Sequence, residues 1–210
     1  MRPAPTGIAL ALLALLYALL GAGCASKPES GATWSAPGGA RGPFRNLIVF
    51  GVAAQGKVRS AYEDSFVAAL RSRGAQARAG HDLLPAGGLG DVRSIPRASE
   101  SSPADGVIIT HLVGERTENA RVAPHNFVTP SLYGSLYPYY QRVNSYVTEP
   151  GYYARYPVLQ LETNLYDTAR QKLVWSGRSA SLSPDSEQTT IKAVIAEATL
   201  GMAKAGFLPR

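Results

Sequence analysis

Apolar and polar positions alternate along this chain in ways that separate strands from helices. Asn46 to Ala53 (Asn-Leu-Ile-Val-Phe-Gly-Val-Ala) is a continuous apolar run of strand length, the mark of a strand covered on both faces. Gln55-Gly56-Lys57 follows, and then Tyr62, Phe66, Ala69 and Leu70 recur at helical spacing. Ser60 and Glu63 fit a capping box at the start of that helix, the alternative being a start one turn earlier. Arg71 and Arg73 suit its carboxyl end, and Gly74 stops it. Gln76 to Ala79 reads as a second, short strand, which makes a β-α-β opening with an expected right-handed crossover.

Leu83 to Pro103 is rich in Gly, Ser and Pro, with Ser94-Ile95-Pro96 placed to start a short helix. Val107 to Val113 is a second apolar strand, central in the sheet, and its polar continuation Glu115 to Arg121 is expected to run past the sheet. Further on, Leu159, Leu161, Thr163 and Leu165 alternate with Gln160, Glu162, Asn164 and Tyr166, the pattern of a half-buried strand. Asp167 to Gln171 forms a hairpin loop, with Asp167 bonding turn amides. Lys172 to Ser179 returns with Leu173 and Trp175 on one face. Pro184-Asp185-Ser186-Glu187 opens a last helix with a cap and an acidic first turn. Its buried stripe is Ile191, Val194, Ile195, Ala198 and Met202, with Gly206 at its end. The order predicts a single α/β domain over Phe44 to Arg210, a mixed sheet flanked by helices in two or three layers.

Between these elements lies Ala123 to Pro157, which holds eight of the eleven tyrosines: Tyr133, Tyr137, Tyr139, Tyr140, Tyr146, Tyr152, Tyr153 and Tyr156. Five prolines punctuate it, and no single period runs through it. A long connection of this kind is expected to be a hairpin or loop excursion, and such segments are either functional or mobile. Tyrosine offers stiff contact area with a polar tip, so these residues form the candidate interaction surface, for a protein or for sugar rings. The alternative is a hairpin whose rings cover one another and the sheet edge.

The amino terminus adds an address. Arg2 precedes an uncharged apolar run of 13 residues, Ile8 to Leu20, too short for the roughly 20 residues of a membrane-spanning helix. Small residues follow it as in a cleaved signal. Leu20-Gly21-Ala22-Gly23-Cys24 resembles the lipobox of bacterial lipoproteins, with Gly21 where Leu is usual, and Cys24 is the only cysteine in the chain. The resemblance implies a signal peptide over residues 1–23, diacylglycerol on Cys24, and a flexible tether over residues 24–43. It also implies membrane attachment through that lipid. Ala25 and Ser26 after the cysteine imply release to the outer membrane, facing the periplasm.

Candidate chemistry is sparse. The net charge of +6 is scattered, with no basic run of the kind that binds nucleic acid. His81, His111 and His125 show no metal-ligand spacing with one another or with acids, and His111 reads as a core or strand-end histidine. Gly87-Gly88-Leu89-Gly90 lacks the lysine of a phosphate loop, and Asp64, Asp105, Glu115 and Glu162 are dispersed. The expectation is therefore no catalytic site, no metal and no cofactor.

Leu161-Glu-Thr-Asn-Leu-Tyr-Asp167 and Lys172-Leu-Val-Trp-Ser-Gly177 resemble a hairpin found in several families of periplasmic lipoproteins. With Asn46 to Ala53, the helix bearing Glu63-Asp64, and Ala104 to Ile108, the resemblance extends over most of the domain. It is to an uncharacterised group of proteobacterial outer-membrane lipoproteins. More distantly the chain is similar to the α/β domains of curli-secretion and peptidoglycan-synthase-activator lipoproteins and to the amino-terminal domain of the Tol-system β-propeller protein. This implies a non-catalytic binding or assembly module with an envelope protein or peptidoglycan as partner. An envelope enzyme of the cell-wall hydrolase class and a self-assembling secretion-type subunit are the alternatives, since fold does not fix function.

Overall fold

The computed structural model describes residues 33–37, 42–52, 56–84, 94–115, 135–147, 158–179 and 187–209. In chain order its elements are Thr33–Ser35 (β1), Asn46–Val52 (β2), Gly56–Arg71 (α1), Gln76–Ala79 (β3), a 3₁₀ turn at Gly80–Asp82, Ser94–Ser101 (α2), Gly106–Glu115 (β4), Leu136–Val147 (α3), Val158–Asp167 (β5), Lys172–Arg178 (β6) and Glu187–Lys204 (α4). The strands form one sheet in the order β1-β6-β5-β4-β2-β3. β2 is parallel to β3 and β4, whereas β5 is antiparallel to β4 and β6. The α/β domain with a mixed sheet is thus observed.

The apolar run of β2 explains the layering. Leu47 and Val49 enter one core, with Tyr62, Phe66 and Leu70 of α1 and Val194, Ala198 and Met202 of α4. Ile48, Phe50 and Val52 enter another, with Ile95 and Ala98 of α2 and Leu136, Tyr139, Tyr140 and Val143 of α3. A strand apolar at every position is what a sheet covered on both faces requires. Both α1 and α4 end in the same way. The Ala75 N–H donates to the Leu70 carbonyl and Gly74 to Arg71, and likewise Phe207 to Met202 and Gly206 to Ala203. Gly74 and Gly206 have φ of 79° and 83°, so both ends are Schellman motifs needing a residue free of Cβ.

Several expectations need correction. α1 begins at Gly56, the earlier of the two expected starts, so Ser60 and Glu63 form no capping box: the Ser60 hydroxyl donates to the Gly56 carbonyl, and Glu63 is wholly buried. The tether expected over residues 24–43 contains β1, which pairs antiparallel with β6 through Thr33, Trp34 and Ser35. Trp34 packs on the second core. β5 is buried on both faces rather than half-buried, because α3 covers its polar side.

The carboxy-terminal hairpin carries the last correction. Leu173 and Trp175 face opposite cores, because Leu165 pairs with Trp175 and Tyr166 with Leu173. Val174 is thus the extra residue of a β-bulge, which turns the side chains that follow. The bulge sends Trp175 under α4 as expected, into a slot between Gly177 and Gly201, where an added methyl would collide with the indole. Asp167 accepts the Arg170 N–H at 3.1 Å, the expected turn bond. Leu136–Val147 (α3) is a helix within the segment expected as a hairpin or loop; of the rest of residues 123–157, only Ser135 is described.

Candidate functional site

Leu136, Tyr139, Tyr140 and Val143 follow the i, i+3, i+4, i+7 spacing of one helix face, and Pro138 lies in the first turn, where its missing N–H costs no bond. That face sits on the sheet. Tyr139 and Tyr140 are each 1% exposed, so neither belongs to an interaction surface, contrary to expectation. The Tyr140 ring meets Phe50 at a centroid distance of 6.3 Å and the Tyr139 ring meets Tyr166 at 5.5 Å. Tyr137 is half-buried against the same core. Tyr146 lies in the last turn of α3, its side chain outside the described residues, as are Cys24, Tyr133, Tyr152, Tyr153, Tyr156 and His125.

Beneath Tyr139 the sheet presents polar side chains that the strand register brings together. His111 of β4 pairs with Glu162 of β5, and Glu162 pairs with Arg178 of β6. The Arg178 guanidinium donates to Glu162 Oε2 through Nε at 3.1 Å and Nη2 at 2.9 Å. Asn164 Nδ2 donates to Glu162 Oε1 at 3.0 Å and to the Tyr139 hydroxyl at 2.5 Å. That hydroxyl lies 3.0 Å from His111 Nδ1 and 3.4 Å from Glu162 Oε1. The hydroxyl donates to Glu162 Oε1, and its bond with His111 takes its direction from the imidazole tautomer. Burial pushes His111 down to about 4, against the pull of the Glu162 carboxylate and with that of Arg178. The imidazole is therefore neutral at pH 7, as expected of a core histidine.

A second buried carboxylate joins α1 to the sheet. Glu63 Oε1 accepts the Gly51 N–H at 2.9 Å, and Oε2 accepts the His81 N–H at 2.7 Å with His81 Nδ1 at 2.8 Å. Burial raises its carboxyl above the usual carboxylate range, while the two amides and the imidazole favour the charged form. His81 Nε2 points between Asp64 at 3.5 Å and Asp82 at 3.4 Å. The spacing of these residues in the sequence gave no sign of this pairing; the 3₁₀ turn after β3 brings His81 back over α1. Among the described residues no group of three or more His, Cys, Asp or Glu is arranged to hold a metal ion.

Both clusters hold elements together. Glu63 ties β2 and the 3₁₀ turn to α1, and Tyr139 ties α3 to β4 and β5. Neither lines the groove at the amino ends of β2 and β3. Asp105 does similar work at the start of β2, accepting the Arg45 and Asn46 N–H groups at 2.8 and 2.9 Å.

No protein-family model matches the chain, and no curated protein matches it. Solved structures of PelC align with it weakly. A methionine-substituted PelC dodecamer from Paraburkholderia phytofirmans aligns at 14% identity and a TM-score of 0.45, over 86% of this chain and 99% of that one. A second crystal form of the PelC dodecamer aligns at 14% identity and 0.43 over the same shares.

Proposed function

We propose that the chain is a lipid-anchored periplasmic lipoprotein, held to the outer membrane through Cys24, whose α/β domain is a non-catalytic binding or assembly module of the envelope. The observation that carries this reading is the single thiol of the chain, placed at the junction of a short apolar leader and a small-residue spacer. Several acyl chains on one residue exceed the single chain whose anchoring is marginal. Stable attachment then needs no spanning element; among the described residues no helix is long and apolar enough to cross a membrane. The non-catalytic part of the reading is supported by the buried ionisable groups. Glu63, Glu162 and His111 are each engaged by main-chain or side-chain partners that fix the packing of α1 and α3.

The test compares wild type with Cys24→Ser after metabolic labelling with an alkyne palmitate analogue and membrane fractionation. Wild type should carry label and sediment with membranes, and the variant should lose both. Cross-linking in intact envelopes should then co-purify a discrete partner with wild type. Equal labelling of the two chains contradicts the anchor, and an absence of cross-linked species contradicts the binding role.

A further inference from the structure

A groove of about 540 Å³ opens at the amino ends of β2 and β3, bounded by the turn after α1 and the connection from α2 to β4. That volume lies in the range of small-ligand sites. Two guanidinium groups belong to its wall, Arg71 from the last turn of α1 and Arg78 from β3. Arg71 donates through Nε at 3.2 Å and Nη2 at 2.8 Å to the Ala77 carbonyl, and Arg78 donates through Nη1 at 3.1 Å to Ser102 Oγ. These bonds anchor each fork and use only part of its five N–H donors. No described carboxylate lies within ion-pair distance of either arginine, and the groove is lined by no Asp or Glu. Asp105, next in sequence to the lining residue Ala104, is engaged by the Arg45 and Asn46 amides.

The rest of the lining narrows the ligand class. The Asn46 and Gln76 amides offer both donors and acceptors, and the exposed Pro103 adds a small apolar patch. Two uncompensated cations, amides and a small apolar surface suit a polyhydroxylated ring bearing one anionic group. We propose that this groove binds an acidic sugar unit, whose carboxylate or phosphate is held by Arg71 and Arg78. Planar oxyanions match the guanidinium fork in pairs of hydrogen bonds, and the amides take the ring hydroxyls. The inference concerns the domain alone and stands apart from the anchoring of Cys24.

Calorimetric titration of the detergent-purified full-length protein with glucuronate, glucose 6-phosphate and glucose tests it. At low salt at least one of the two acids should bind and glucose should give no heat. The stronger acid identifies the anionic group, and its affinity should fall as salt is raised. Arg78→Gln, on an exposed position of the edge strand, should weaken it by about tenfold or more, whereas Lys57→Gln at the far end of α1 should leave it unchanged. The salt dependence and the neutral-sugar comparison are read on wild type, so they stand even if the variant misfolds. Glucose binding as tightly as the acids, a folded Arg78→Gln with wild-type affinity, or no acid binding up to about 10 mM would each overturn the proposal.

Discussion

An ionised carboxylate taken out of water costs several kcal/mol unless charged and hydrogen-bonding partners replace its hydration. Glu162, at 0% exposure, has both, from Arg178 and Asn164. Removing one partner is far more damaging than removing the pair. Arg178→Met should lower unfolding free energy by about 3–5 kcal/mol, and adding Glu162→Gln should recover a substantial part of it in urea denaturation. His111 gives a pH signature. Its folded value, pushed down to about 4, lies below the ordinary 6.5, so between these values the unfolded chain binds more protons than the folded one. Stability from this group is complete above pH 6.5 and is lost as pH falls toward 4, by about 3 kcal/mol in total. His111→Gln, which does not titrate, should remove that slope relative to wild type. Gly177→Ala should cost about 1–3 kcal/mol, because the methyl overlaps the Trp175 ring.

Among the elements, those whose burial depends on local periodicity were legible in the sequence. The βαβ opening, the central strand β4, the hairpin and the stripe of α4 were read from residues whose spacing alone dictates burial. What was not legible depended on a partner distant in sequence. The polar positions of β5 read as solvent-facing, since alternation cannot say whether another layer covers them. The cover is α3, and its own i, i+3, i+4, i+7 stripe was diluted by the tyrosines and prolines on either side. Trp34 likewise shows its role only once β6 offers an edge. Tyr140→Ala should cost about 3 kcal/mol or more, while Tyr137→Ala, at a half-buried position, should cost clearly less. Equal effects in thermal melts would contradict the placement of α3. Replacing Trp34 by Ser should loosen β1, leaving β6 as an open edge, and should appear as faster amide exchange along Lys172–Arg178.

Taken whole, the described residues form a sheet with two cores, each closed by helices and each pinned by a buried carboxylate, Glu63 on one face and Glu162 on the other. The candidate site was the least legible feature. Arg71 read as a helix-end charge and Arg78 as one charge in a short strand; the parallel pairing of β2 and β3 and the Arg71 bonds to the Ala77 carbonyl place both on one groove. The proposed anchor, in contrast, is wholly a matter of sequence, and its chemistry is read at a single atom. Mass spectrometry of the amino-terminal peptide from the membrane-extracted protein tests it most directly. The account predicts a peptide beginning at Cys24 with a diacylglyceryl thioether on Sγ. A peptide beginning at any other residue, or an unmodified Cys24 thiol, would contradict it.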